Sequence, residues 1–223
     1  MARSLPDLAL AAGLMLAAGA VFAAQGKLTL DNQTPIVFEG GKACFRANFG
    51  AGTLESCDVV LRQGPGTVIQ AKNAKASGLS STGLEDGEWQ FSNGVHIEFD
   101  NAVLDADSAR VVFADNRLKE VHVKGASAEP ARFSHQVKDT PRRNQGRAAT
   151  IDYDGAAATL RLAGGTWYSD GRNEVNTASL IYNMDDGSFS NATGPSESDR
   201  VRITIRPDKR VPPPRTPDRT TSQ

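Results

Sequence analysis

The sequence predicts an all-β protein of antiparallel strands, and three observations lead there. The first is hydrophobic alternation. Val95, Ile97 and Phe99 alternate with His96, Glu98 and Asp100; Val121 and Val123 flank His122; Ile151 and Tyr153 flank Asp152; Leu160 and Leu162 flank Arg161; Val201, Ile203 and Ile205 alternate with Arg202 and Thr204. In extended chain this period of two sends one set inward to an apolar interior and the other outward to water. The second is punctuation. Asn93-Gly94, Asp154-Gly155 and Asp186-Gly187 tolerate the positive φ of tight hairpin turns, and Gly40-Gly41, Gly64-Pro65-Gly66, Gly164-Gly165 and Asp170-Gly171 add further breaks. The third is that no long amphipathic helix is legible after Gln25. At about 12 residues per strand and turn, the chain accommodates roughly 15 short strands. Hairpins pair each strand with the next, giving a simple meander.

The outer parts of the chain read differently. Arg3 precedes an apolar run from Leu8 to Val21, followed by Phe22-Ala23-Ala24-Gln25, the pattern of a cleaved secretory signal peptide over residues 1–24. A retained anchor helix is the alternative, but the run is short for a membrane span. Residues 25–206 form the expected domain. Residues 207–223, Pro-rich and polar, cannot build a core and read as a disordered or extended tail. Within the domain, Gln136 to Arg147 is polar, basic and contains Pro141, so it reads as a loop. The segments Asn101–Ala109 and Asn173–Tyr182 echo each other loosely, each joining a polar turn to an apolar strand, which suits a stack of similar β units. Cys44 and Cys57 are the two cysteines, and in an oxidising compartment they are expected to form a disulfide; two inert buried thiols are the alternative. They are too few for the usual structural zinc site.

Little in the sequence suggests catalysis. A formal net charge of −1 excludes nucleic acid as the main partner, since phosphate neutralisation needs a basic surplus. His96, His122 and His135 have no metal-ligand spacing with the cysteines and are expected at the surface or rim. Asp105 with Asp107, and Asp152 with Asp154, read as turn-forming residues and not as an acid–base pair. There is no G-x-S-x-G nucleophile elbow, and Gly64-Pro65-Gly66 lacks the lysine of a phosphate loop. No metal or cofactor is implied. Trp89 and Trp167 read equally as ligand-stacking or as core and rim aromatics. Lys138, Arg142, Arg143 and Arg147 read as a phosphate-meeting or simply solvated basic loop.

From Ser92 onward the order of motifs resembles the OstA-like family of LptA-like periplasmic lipopolysaccharide-transport proteins. Ser92 to Phe113 is similar to the family's core, with Leu104, Ala106, Asp107 and Ala109 on its L-x-A-D-x-A motif. Leu118–Gly125 followed by Pro130-Ala131-Arg132-Phe133 resembles the next strand pair. Gly146–Tyr153 is similar to G-x-A-x-x-I-x-Y, Leu160–Gly165 to L-x-L-x-G, and Arg200–Pro207 to R-V-x-x-x-I-x-P. The Cys44–Cys57 segment is not a family hallmark, and Asn173–Tyr182 lacks a glycine often found in its turn.

The resemblance implies an antiparallel β-jelly roll, a folded-over, open-ended β-roll with a continuous apolar interior groove. It implies a non-enzymatic protein that binds lipopolysaccharide through its lipid A part. Such proteins stack head-to-tail as a bridge between the inner-membrane and outer-membrane components of the transporter. On this reading Val95, Ile97, Phe99, Leu104, Val111, Phe113, Val121, Val123, Phe133, Ile151, Tyr153, Leu160, Leu162 and Trp167 line the groove, and Lys119, Lys124 and Arg132 meet phosphates at its rim. The strand edges would fall near Thr34–Phe45 and Arg200–Arg206, with Val201, Ile203 and Ile205 inward. The alternatives are a membrane-tethered, LptC-like component of the same transporter, and a structural or adhesion β protein with a dry core.

Overall fold

Alternation alone would give strands with one inner face from end to end, but the longest strands do something else at mid-length. The structure, a computed structural model, describes residues 35–79, 84, 86–138, 140–141, 143–192 and 201–205. The expected signal peptide and C-terminal tail lie outside the described residues, as does Arg142. In β3 (Thr53–Gln63), Leu54 and Ser56 are buried before Asp58, and Val59, Leu61 and Gln63 after it, so the inward set changes parity. The same change falls between Ala71 and Ala74 in β4 (Thr67–Ser77), between Leu104 and Ala109 in β6 (Ala102–Ala114), and between Ser179 and Leu180 in β12 (Asn173–Asn183). In β5 (Gly87–Phe99) and β11 (Thr159–Ser169) the register shifts instead, at Asn93-Gly94 and Gly164-Gly165. A bulge takes up one extra residue and bends the strand.

These irregularities form one line. Cys57 opposes Asn73, Asn73 opposes Ser92, Ser92 opposes Ser108, and Ser108 opposes Lys124; Lys124 then opposes Thr150, Thr150 opposes Ala163, and Ala163 opposes Ser179. The line is a crease running across the whole sheet. Left-handed backbone recurs along it, at Asp58 (φ 47°), Asn93 (66°), Gly94 (85°), Gly164 (82°) and Gly165 (83°). Asn, Asp and Gly are the residues that take that conformation at least cost.

The remaining strands are cut at the crease and lie end to end. β1 (Ile36–Glu39) and β2 (Arg46–Asn48) both pair with β3. β7 (Arg117–Lys124) and β8 (Ala131–Gln136) share β6, while β9 (Arg143–Ala148) and β10 (Thr150–Asp154) share β11. β13 (Phe189–Asn191) and β14 (Arg202–Ile205) share β12. Among the described residues six strands run through and eight lie in pairs, which accounts for the 14-stranded antiparallel sheet. β7 pairs with β10, and β8 with β9.

Folded at the crease, the two halves face each other across the core. Phe99 meets Tyr153 at 4.5 Å between ring centroids, and Phe133 meets Tyr182 at 5.3 Å. At the far rim Gln63 Nε2 donates to the Asn116 carbonyl at 2.6 Å. Gly146 is bare because a Cβ there would strike the Phe133 ring from the adjoining strand and come within 2.9 Å of Leu162 on the opposite half. The disulfide Cys44–Cys57, with Cα atoms 5.8 Å apart, ties the β1–β2 connection to β3 at its end of the crease.

The folded-over, antiparallel all-β class is as the sequence predicts, with several differences of detail. The strands are longer than expected, β5 and β6 reaching 13 residues each. Asp154-Gly155 and Asp186-Gly187 lie in turns, but Asn93-Gly94 is a bulge inside β5. The flanking hairpins are made by Asp100-Asn101 (φ 44° and 62°) and Asp115-Asn116 (52° and 54°), both with the two positive φ values of a type I′ turn. Asp105 and Asp107 lie in mid-strand on β6 and not at a turn. Gln136–Arg147 is not a loop: Gln136 ends β8 and Arg143 begins β9, so only the residues between them turn. β14 is exposed along its length, so Ile203 and Ile205, at 55% and 71% exposure, do not face inward; nor does Val201, which precedes the strand.

The crease glycines should be costly to replace. In Gly164→Ala the added Cβ would sit 2.6 Å from the Ala149 Cβ at a φ of 82°. The left-handed conformation alone costs an L-residue about 1–2 kcal/mol. Gly66→Ala, whose Cβ meets nothing within 4 Å, should stay within about 0.5 kcal/mol of the parent. Urea denaturation of both variants measures this; equal midpoints would remove the crease from the energetics of folding.

Candidate functional site: the apolar interior

The interior is assembled from both halves of the folded sheet. One contributes Leu61, Ile69, Val95, Ile97, Phe99, Leu104 and Phe133; the other contributes Trp89, Phe91, Val111, Phe113, Val121, Val123, Ile151, Leu160 and Leu162. Every groove residue expected from the sequence is buried, from 0% exposure at Ile97 to 7% at Tyr153, with the exception of Trp167. Trp167 is half-buried on the outer face, and Thr166 and Tyr168 take the inward positions beside it. Its ring lies under the Arg147 guanidinium at 5.1 Å. Trp89 is the aromatic that enters the core, stacked on Phe91 at 5.9 Å and against Phe38 at 5.4 Å. Its indole N–H has no hydrogen-bond partner among the described residues. Tyr168, Val175, Leu180 and Tyr182 also belong to the core, and sequence reasoning did not place them there. Their alternation was readable, but the parity change in β12 hides it.

The expected phosphate contacts do not converge on this interior. Lys119 lies beside the β6–β7 turn and pairs with Asp115 at 3.2 Å. Lys124 and Arg132 are exposed on the outer face. The outer-face histidines are each held by a cross-strand carboxylate. His96 Nδ1 is 2.6 Å from Asp105 and its Nε2 is 3.0 Å from Glu98, while His122 bonds Asp152. Burial works against charge on His96, but its two carboxylate partners outweigh it and raise its pKa.

His135 is not a surface residue. It is 3% exposed, points inward from β8 and hydrogen-bonds the Tyr182 hydroxyl at 2.8 Å. Asn144 Nδ2 donates to the same hydroxyl at 2.7 Å. This polar trio sits where the two halves meet, and burial lowers the His135 pKa. Tyr153, also buried near the rim, is pushed up to about 12 by burial and then by Asp100, Asp154 and Asp185. Among the described residues no three His, Cys, Asp or Glu side chains are placed to hold a metal ion.

A single antiparallel sheet, creased across its strands and folded over an aliphatic and aromatic interior, defines a β-roll whose principal feature is its apolar inner surface. The family described as LptA/(LptD N-terminal domain) LPS transport protein matches residues 10–188, and the chain belongs to that family. The protein is thus a component of lipopolysaccharide transport. Among solved structures it is similar to LptH of Pseudomonas aeruginosa, described as the LptA-homologous periplasmic component of the lipopolysaccharide transport device. The identity is 14% and the TM-score 0.45, over 79% of this chain and 99% of that one. No curated protein matches the chain.

His135 should leave a signature in the pH dependence of stability. Its folded pKa lies below its ordinary value near 6.5. Stability from the neutral ring is full above about pH 6.5 and is lost as pH falls from there through the folded value, because the unfolded chain takes the proton first. His96 runs the other way: its contribution is present below about 6.5 and lost as pH rises through its raised value. His135→Gln keeps a hydrogen-bonding side chain that does not titrate. Its urea midpoint should fall less than the parent's between about pH 7 and pH 5; parallel curves would show that His135 does not titrate in this window.

Proposed function

We propose that this chain is a non-enzymatic periplasmic carrier that holds the acyl chains of lipopolysaccharide in its interior and serves as a bridge segment between inner and outer membranes. The observation that carries the reading is the continuous apolar surface running through both halves, from Trp89 to Phe133 and Tyr182. Each CH₂ buried there gains about 0.8 kcal/mol, so several acyl chains bind without any chemistry. Val95, Ile97, Phe99, Leu104, Val111, Phe113, Val121, Val123, Phe133, Ile151, Tyr153, Leu160 and Leu162 are the proposed contacts. The interior is closed in this structure, so entry requires the halves to part about the crease. Loss of the Gln63–Asn116 rim bond and of the Tyr182 trio accompanies that opening. The unpaired indole N–H of Trp89 marks one place where a ligand acyl oxygen gains a donor.

Both ends of the sheet support end-to-end assembly. One edge exposes Val37 and Phe45, the other Phe189, Ile203 and Ile205. Among the described residues no strand pairs beyond these edges, and strand edges with apolar side chains invite addition of another strand. Head-to-tail addition between unlike edges gives open chains of subunits, and the inner- and outer-membrane parts of the transporter would cap them. The source of energy is then a partner, not this protein. The closed interior also favours a second reading, in which the core is dry and the chain acts only as a structural element of the transporter.

Photo-crosslinking separates the two. A photoreactive residue at Ile97 or Leu162 should give lipopolysaccharide adducts, and one at Glu98 or Arg161 should not. Adducts confined to the outer positions, or none at all, would leave the dry core standing.

A further inference from the structure

The outer face of the sheet carries two kinds of charge. Four of its cations are neutralised by carboxylates: Lys72 by Asp58, Lys75 by Glu55, Lys119 by Asp115, and Arg110 by Glu88 and Glu120. The β8–β9 hairpin differs. Its outward positions are Arg132, Ser134 and Gln136 on one strand and Arg143, Gln145 and Arg147 on the other, with no acidic residue among them. Among the described residues none of these arginines has a carboxylate at ion-pair distance; Arg143 bonds the Ser134 hydroxyl at 3.2 Å. The nearest outward acid in register, Asp105 opposite Arg132, is already engaged by His96.

Register makes the arrangement more pointed. Arg132 stands directly opposite Arg147, and Arg147 directly opposite Trp167. Like charges in direct cross-strand opposition destabilise a sheet, so the pair works against the fold it sits on. The Trp167 ring, half-exposed, holds the Arg147 guanidinium over it at 5.1 Å and thereby fixes the direction of its donors. Two guanidiniums on neighbouring strands present a fork suited to a phosphate or carboxylate. Around them lie an aromatic edge and the amides and hydroxyl of Gln136, Gln145 and Ser134, groups suited to sugar hydroxyls. The chain as a whole is close to neutral, so three outward arginines with no acidic residue among their neighbours on the hairpin form a local excess.

We propose that the outer face of β8, β9 and β11 binds a phosphorylated saccharide, with Arg132 and Arg147 on the phosphate and Trp167, Gln145 and Ser134 along the sugar. The site is separate from the apolar interior and is independent of whether acyl chains enter there.

The test uses the full chain and fully deacylated lipopolysaccharide, a phosphorylated saccharide with no acyl chain to reach the interior. The protein has two tryptophans, and Trp89 is fully buried, so a change in emission on titration reports Trp167. Calorimetry gives the affinity. Saturable binding is expected, with Arg147→Gln and Arg132→Gln each weakening it on the order of tenfold and Arg110→Gln leaving it unchanged. Trp167→Phe should abolish the emission change. Because Arg132 and Arg147 oppose each other, Arg147→Gln should melt at the same temperature as the parent or higher; a clear drop would mark the arginine as structural and overturn the assignment. Absence of binding, equal binding of the dephosphorylated saccharide, or insensitivity to both arginine variants would each overturn it. Inorganic phosphate binding as tightly as the saccharide would reduce the site to a bare anion site. Binding only to phosphatidylglycerol vesicles would give the face to a membrane surface instead.

Discussion

The fold depends on a register constraint that runs across the whole sheet at one level, through the long strands and between the ends of the short ones. A sheet of strands this long with one apolar face would have to curl or stack on another sheet to bury that face. Here the sheet stacks on itself. Changing the inward parity, or inserting a bulge, at Asp58, Asn73, Asn93-Gly94, Asp107-Ser108, Gly164-Gly165 and Ser179 lets each strand turn while its neighbours turn with it. The crease works only if its members stay in register, because a one-residue slip in any strand would send that strand's core residues to water. The disulfide at Cys57 and the bare backbone at Gly164 both sit on this line, one fixing its end and the other allowing Ala149 to approach.

The interior that results is largely apolar; small polar groups (Ser56, Thr166, Thr177, Ser179) line the crease, and the hydrogen bonds between the halves lie away from it. Tyr182, His135 and Asn144 satisfy one another there, and Gln63 closes the opposite rim. These bonds are the ones that break if the halves separate, whereas the apolar surfaces stay continuous within each half. Stability and access are therefore set by different residues: the aliphatic positions define what can be held, and the polar trio and the rim bond define how readily the fold opens. A buried histidine among those polar residues makes the second property sensitive to acid in a way the first is not.

The period of two was legible wherever the two faces of a strand differ in chemistry, as in Val95–Phe99, Val121–Val123 and Leu160–Leu162. It was not legible in β9. There the inward residues are Asn144, Gly146 and Ala148, kept small or polar because the Phe133 ring, Leu162 and the Tyr182 hydroxyl occupy the space over them. Hydrophobic contrast vanishes and the strand reads as a loop. The opposite error occurs in β14, where Val201, Ile203 and Ile205 alternate cleanly but, among the described residues, nothing packs over them. Trp167 was expected in the groove as a stacking aromatic, but its position, one step from the buried Thr166 and Tyr168, puts it on the outer face. The crease itself was written in the sequence as Asn93-Gly94 and Gly164-Gly165, but such pairs serve turns and bulges alike. Only cross-strand register tells them apart.

The pairing pattern has a consequence for how the chain acquires its shape. Most strands bond to the next in sequence, and the exceptions, β1–β3, β6–β8, β7–β10, β9–β11 and β12–β14, skip at most two strands. Contacts are thus local for a β protein, which shortens the loops that must close before pairing begins and speeds folding relative to sandwich topologies with distant partners. It also makes the molecule quasi-linear, like a solenoid: each rung is stabilised by its two neighbours and by the rung it faces across the crease. Growth from the N-terminus therefore passes through a series of shorter versions of the same creased sheet, each ending in an open rung, and removing the last rungs should shorten the roll and not dismantle it.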